Sequence, residues 1–351
     1  MAITINKGLS NQYFSGNIPD VEISMTGTEL AVKMEVGSAA SSDMTEIYSE
    51  TLYPMDGVVT LSDLGDLIEP YAKEMLAIQL KITLTEDDDT DSQSTMTCGV
   101  IYCSADLPTT CGEWTSKRFL TLLDGAKTTA KGRLEYLHYI GTDSATAVAE
   151  YSDGTTKSFD VTAIGGNSSY TTIDVSPDNF ASDGKTLAAY TVTAGDRSQR
   201  YEMDFNEPDC APILIFVNSF GVEELMYCTG THTKAPTFKR DTAIINGMNK
   251  NYRITETRTF KADTGVLNEC EAFWFGEVLR SDYVRVVNFK NGHPNIGREI
   301  IITDSKSEQT NDDDELIRFT FSYQYAQKNQ NVVDEYREGR IFDNTFDYTF
   351  N

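Results

Sequence analysis

Ile213-Leu214-Ile215-Phe216-Val217-Asn218-Ser219-Phe220-Gly221 sets the reading of this chain. An unbroken apolar run of branched and aromatic residues, closed by Asn, Ser and Gly, is the pattern of a buried strand that runs into a turn. Downstream, Phe319-Thr320-Phe321-Ser322-Tyr323-Gln324-Tyr325 alternates aromatic with polar side chains, as a strand does when one face lies in a core. Between the two sits one strong helix signal. Asn268 can accept from the free amides of a first turn, Glu271 occupies the capping-box position, and Cys270, Phe273, Trp274, Val278 and Leu279 include helical intervals of an apolar stripe. Strands are expected again at Tyr283–Val287, Arg298–Thr303 and Ile317–Tyr325.

The same strand punctuation extends towards the start of the chain. Val21–Met25, Leu30–Val36, Glu46–Tyr53, Val58–Leu61 and Ala77–Leu84 alternate in short runs separated by turns such as Met55-Asp56-Gly57. With the run Thr97–Cys103 they suggest a β-sandwich of about seven strands. Ser62 is a candidate cap for a short helix carrying Leu64, Leu67, Ile68 and Tyr71, which Pro70 should kink or end. Pro and small polar residues near Ala105–Thr110 suggest a boundary. Beyond it, Trp114–Leu122 reads as a segment packed on the next unit. Ala147–Tyr151, Lys157–Val161 and Leu187–Val192 read as strands, with Asp153-Gly154 a type I′ hairpin signal and Gly165-Gly166-Asn167 a turn.

The expected fold class is therefore mainly β: multidomain β-sandwich or β-barrel-like units with one or two short helices. The expected division is an N-terminal β-sandwich domain over 1–108, a middle β domain over 109–210, a C-terminal β domain with one short helix over 211–329, and a C-terminal arm over 330–351. A length of 351 residues suits two or three such cores. The arm is polar and then aromatic, with Phe342, Phe346, Tyr348 and Phe350 among Asp and Asn. It suits docking on a neighbour or packing on its own domain.

Charge narrows the function classes. Lys and Arg number 29 against 54 Asp and Glu, a formal −25, so phosphate backbones should be repelled and no specific nucleic-acid binding is expected. The acidic runs Glu86–Asp89 and Asp312–Glu315 read as solvated turns and lack the spacing of a calcium loop. The start Met1–Gly8 has neither the basic segment nor the apolar run of a signal peptide, and no apolar stretch is long enough to span a bilayer, so a soluble protein without membrane insertion is expected. Cysteines 98, 103, 111, 210, 228 and 270 contain no Cys-x-x-Cys pair and read as buried thiols, with Cys98 and Cys103 on opposite faces.

Catalytic patterns are not found. His138 reads as a satisfied strand residue, and His232 and His293 as turn residues; none has zinc-protease spacing. There is no Gly-x-Ser-x-Gly elbow, no phosphate loop and no dinucleotide fingerprint. No catalytic residue, cofactor or metal ligand is assigned, and the chain is expected not to be an enzyme. A hydrolase on a β scaffold would need a pocket that gathers a shifted carboxylate pair. The two tryptophans, Trp114 and Trp274, are expected in packing.

The order of Phe216–Glu224, Phe238-Lys239-Arg240, Thr264–Trp274, Ile301–Ser305 and Phe319–Ala326 resembles virion structural proteins of tailed phages and prophages of gut Bacteroidetes. Tyr13–Pro19 and Tyr53–Gly57 fit the same group more loosely. The resemblance implies a non-enzymatic tail, baseplate or head–tail connector subunit, assembling into a ring with copies of itself and other virion proteins. It also implies a place in the virion, assembled in the host bacterial cytoplasm. A strongly acidic β chain suits the wall of a channel through which DNA passes without sticking. The alternative is a carbohydrate-binding or adhesion β-sandwich protein, which would need an exposed Trp or Tyr in a shallow cleft.

Overall fold

The computed structural model describes residues 3–39, 43–87, 92–166, 170–205, 212–290, 293–306 and 316–328. Within them are 23 strands and three α-helices, so the mainly β expectation is met. Cys210, the run 312–315 and the arm 330–351 lie outside the described residues, as do Asp88 and Asp89.

In the first segment, alternation translates directly into burial. Leu30–Ser38 points Leu30, Val32, Met34 and Val36 inward, and Ala77–Glu86 does the same with Leu80, Ile82 and Leu84. These strands belong to a five-stranded sheet ordered Gln12–Phe14, Gln93–Ile101, Ala77–Glu86, Leu30–Ser38, Thr45–Leu52. A three-stranded sheet of Thr4–Lys7, Val21–Ser24 and Val58–Leu61 packs Val21, Ile23, Val59 and Leu61 into the same core, giving a sandwich of eight strands. Helix α1 (Leu64–Met75) adds Leu64, Ile68 and Ala72. It departs from expectation at its cap, and Pro70 does not end it. Its N-cap is Asp63, in the left-handed region at φ 55°, and it runs on through Pro70 to Met75. Burial of the 64/68/72 stripe, roughly 1.5–3 kcal/mol for each large side chain, is enough to outweigh one lost helical hydrogen bond.

Of the acidic run expected as a solvated turn, Asp87 is exposed, but Glu86 departs from that reading at the end of its strand. Glu86 is buried, and its carboxylate accepts from the amides of Thr26 and Gly27. Asp87 accepts from those of Thr28 at 2.7 Å and Glu29 at 3.1 Å. Four consecutive amides of the neighbouring turn, which would otherwise lack strand partners, are thereby satisfied.

A second sandwich follows. Tyr136–Ile140, Tyr170–Asp174 and Ala163–Gly166 form a three-stranded sheet, so Gly165 and Gly166 lie in an edge strand rather than a turn. Facing it is a five-stranded sheet ordered Thr156–Val161, Ala145–Tyr151, Leu187–Ala194, Arg197–Met203, Lys127–Thr129. The small residues Ala145, Ala147 and Ala149 make room for an aromatic pile in which Tyr190 stacks on Tyr201 with centroids 4.7 Å apart. The hairpin expected at Asp153-Gly154 forms between Ala145–Tyr151 and Thr156–Val161. Only Gly154 has positive φ, however, so the turn is not type I′. The Gly154 amide donates to Tyr151 O and that of Tyr151 to Thr155 O, the arrangement of a type I turn closed by a left-handed glycine.

Helix α2 (Cys111–Lys117) was not among the expected helices, although its signal is present. The Thr110 hydroxyl accepts from the Glu113 amide, and the Glu113 carboxylate accepts from the Thr110 amide.

The third segment is an antiparallel seven-stranded sheet ordered Glu223–Tyr227, Ile213–Val217, Val284–Lys290, His293–Lys306, Thr320–Tyr325, Met248–Asp263, His232–Ile245. Helix α3 (Glu269–Arg280) begins at Asn268 with the capping box intact. It lays Ala272, Trp274, Phe275 and Val278 on one face of the sheet. Ile215, Leu225, Tyr227 and Val287 on the opposite face meet Leu134 and Tyr136 of the second sandwich.

The turn that follows Ile213–Val217 joins the three segments. Phe220 is fully buried between Phe14 and Trp114, with ring centroids 5.9 Å away in each case. Phe220→Ala should cost about 3–5 kcal/mol by leaving a cavity at this junction. Urea unfolding is the measurement, and a loss under about 1 kcal/mol would show that the junction collapses to fill the space.

Candidate functional site

Two features offer themselves for function: an open cleft where the segments meet, and a ribbon that leaves the far edge of the third sheet.

The cleft has a volume of about 950 Å³. It lies between α2, α3 and the turn Asn218-Ser219, with Tyr102 to Pro108 along one wall. Its geometry depends on buried polar groups. The Asn218 carboxamide donates to Leu120 O at 2.8 Å and to Glu224 Oε2 at 2.9 Å, while its oxygen accepts from the amides of Phe220 and Val222. Trp274 Nε1 donates to the same Glu224 oxygen at 3.0 Å. Glu277 on α3 accepts from the Ser219 amide at 2.7 Å and from Arg280 at 2.7 Å. Burial pushes the Glu224 carboxyl up, against the pull of Lys127 and of these donors.

A second buried charge cluster lies behind this wall. Lys127 Nζ sits 2.6 Å from Glu135 Oε2, donates to Leu225 O at 2.7 Å, and lies 4.8 Å from the Trp274 ring centroid. Burial raises the Glu135 carboxyl, with Lys127 opposing. These carboxylates are enclosed behind the cleft wall, each already engaged by side-chain donors, so they read as structural struts rather than as a reacting pair.

The cleft walls are apolar where Leu107, Trp114, Leu122 and Phe273 meet, and carry Asp106, Asp124, Glu269 and Asp282. Lys73 pairs with Asp282 at 2.7 Å and Arg118 with Asp124 at 3.3 Å. Trp114 and Trp274 are both buried, whereas Phe273, expected on the apolar stripe of α3, is 68% exposed and its place is taken by Phe275. The Trp114 indole N–H has no hydrogen-bond partner among the described residues.

The ribbon is the larger surprise. His232–Ile245 and Met248–Asp263 pair along their whole length, but Met248–Asp263 joins the next strand, Thr320–Tyr325, only at Phe260–Asp263. Among the described residues the run Thr237–Ile245 therefore pairs with Met248–Asp263 only, over roughly 30 Å at about 3.3 Å per residue. Asn246 and Gly247 close it with φ 52° and 74°, the two positive values of a type I′ turn. That Asn-Gly pair is the signal in the sequence that could have found it. Ile244 (76%), Met248 (59%) and Tyr252 (66%) are exposed, as are Phe238 and Ile254.

His138 is placed as expected: Nε2 donates to Glu223 O at 3.0 Å and Nδ1 accepts from the Thr172 hydroxyl at 2.9 Å. His232 opens the ribbon strand instead of occupying a turn, stacked on Phe260 and Tyr323 and 2.9 Å from the Tyr323 hydroxyl. His293 likewise opens a strand, paired in register with Lys290. Cys98, Cys103, Cys111 and Cys228 are buried and Cys270 is half-buried on the cleft wall. Cys98 joins the first sandwich core and Cys103 the junction cluster. Among the described residues no group of three His, Cys, Asp or Glu converges as a metal site, and no helix is long and apolar enough to cross a membrane. No protein-family model matches the chain, and no curated protein matches it.

Burial lowers the His138 imidazole to about 4, against an unfolded value near 6.5. The neutral ring thus favours the folded state, and that contribution is complete above pH 6.5 and lost as pH falls towards 4. Urea titrations at pH 7 and pH 5 should show a smaller loss for His138→Gln than for the wild type, and equal losses would refute the assignment. Burial also pushes the Cys98, Cys103, Cys111 and Cys228 thiols up to about 12. In a Cys210→Ser variant, alkylation of the folded protein at pH 8 should modify Cys270 first, read by peptide mass mapping.

Proposed function

We propose that this chain is a non-enzymatic structural subunit of a phage virion, belonging to the tail, baseplate or neck, that assembles into a ring with copies of itself and with other virion proteins. The observation that carries this reading is the ribbon. A two-stranded β-ribbon is marginal alone in water, and this one exposes Ile, Met, Phe and Tyr side chains on both faces beyond the sheet that anchors it. Such an element gains its stability by lying against another chain, and projecting arms of this kind supply the unlike surfaces that cyclic assemblies join. The resemblance of Phe216–Glu224, Thr264–Trp274 and Phe319–Ala326 to phage virion proteins supplies the particle. The virion as the place of action rests on that resemblance, and the ring on the ribbon.

Light scattering and negative-stain imaging at micromolar concentration should show a closed multimer of fixed stoichiometry. The double substitution Ile244→Asp and Ile254→Asp should reduce it to monomers with unchanged urea unfolding of the body, because both side chains stand clear of the core. A wild-type chain that stays monomeric and captures glycans would instead make it a carbohydrate-binding module, with Phe273 as the stacking platform.

A further inference from the structure

Charge is divided unevenly between the ribbon and the rest of the molecule. His232–Asp263 holds seven Lys and Arg against three Asp and Glu, a net +4, in a chain of total −25. The remainder therefore carries −29. Lys239, Arg240, Lys250 and Arg253 are exposed along the projecting part, and the tip between them is apolar, with Ile245 paired to Met248 and Ile244 on the opposite face. The cleft has the converse character. Its floor is apolar, and its lining holds five carboxylates, at Asp106, Asp124, Glu269, Glu277 and Asp282, against three cations.

Donor and acceptor are also separate features of one protomer. The ribbon leaves one edge of the seven-stranded sheet, while Ile213–Val217, whose last residue lines the cleft, is the second strand from the other edge. Three strands intervene between it and Met248–Asp263, a separation of about 19 Å at roughly 4.8 Å per strand. A knob and a hole at different places on one protomer can join copies head to tail, the geometry that closes into rings when the rotation permits. We infer that the apolar ribbon tip, Ile244 to Met248, of one copy inserts into the apolar-floored cleft between α2 and α3 of the next copy, with the flanking Lys239, Arg240, Lys250 and Arg253 meeting the acidic residues of its lining. This rests on the ring-forming reading above and adds where the ribbon docks.

Opposed charges bring the two together from a distance, so association should weaken at least tenfold between 0.05 and 1 M NaCl. Cysteine cross-linking tests the location. In a Cys210→Ser background, Met248→Cys should form an intermolecular disulfide with Cys270 under mild oxidation, giving a ladder of multimers on a non-reducing gel. The ladder should vanish when Cys270→Ser is added and be absent from a control carrying Lys157→Cys, an exposed position on another sheet. A second measurement does not depend on disulfide geometry. Lys250→Glu with Arg253→Glu should abolish association, and Asp106→Lys with Glu269→Lys in the same chain should restore it.

A ladder that persists without Cys270, or charge reversals that are not rescued, would overturn the docking site. Multimers that form all the same would leave the ring-forming reading intact, whereas a chain that stays monomeric would remove both. Binding of a DNA duplex by the wild type, lost in the Lys250→Glu, Arg253→Glu variant, would assign the ribbon to nucleic acid and overturn the inference.

Discussion

The architecture depends on one buried turn. Asn218 to Val222 leaves the strand Ile213–Val217 and enters the space between the first sandwich, α2 and the third sheet. Its residues are mostly buried, so their amides need partners inside the protein. Asn218 meets most of that need by accepting from Phe220 and Val222 while donating to Leu120 and Glu224. Glu277 takes the Ser219 amide, and Ser219 O in turn accepts from the Ser104 amide. With the backbone satisfied, Phe220 can sit in the junction, and Gly221, at φ 77°, lets the Tyr102 ring approach to where a Cβ would lie only 2.9 Å away. A side chain there would have to displace that ring.

From this turn the polar contacts spread outward. Glu224 receives Trp274, Trp274 lies beneath Lys127, and Lys127 is held by Glu135 of the second sandwich. Removing two or more charges from water is costly, and a buried ion pair seldom stabilises a fold more than apolar packing of the same shape. What such groups provide is discrimination: a shifted interface leaves a charge unpaired, which costs several kcal/mol. The cluster therefore fixes the register of α3 against the second sandwich, and the cleft between α2 and α3 follows from that register. The α3 capping box reaches across the same seam, since Glu271 accepts from the Thr128 amide at 2.6 Å and Asn268 donates to Ala126 O at 3.2 Å. The ribbon stands outside this network of buried contacts, and its Ile, Met and Tyr side chains are exposed.

Much of the scaffold was legible because local rules and tertiary packing agree there. Leu30–Val36 alternates and is half-buried, Asn268 and Glu271 cap α3, and His138 is satisfied within a strand. Reading stopped short where a rule was present but unused, or where packing overrode it. Thr110 and Glu113 announce α2, and Asn246-Gly247 announces the ribbon turn, both by known local chemistry. Pro70 sits inside a helix because the stripe around it is buried. Phe273 faces out although an aromatic at helical spacing suggests a core, since Trp274 and Phe275 fill the sheet side. Glu86 looks like part of a charged loop, yet its carboxylate serves amides of a turn some 60 residues earlier, a pairing that no local pattern contains.

Strand content, the α3 boundary and the acidic excess are properties of neighbouring residues and of composition, so they are fixed before the chain folds. The cleft, the burial of Lys127, Glu135 and Glu224, and the extension of the ribbon past its neighbour Thr320–Tyr325 follow from which distant strands pair and over what length. Those choices rest on packing between residues as far apart as Phe14 and Phe220, and hydrophobic contact of that kind carries no signature in linear order.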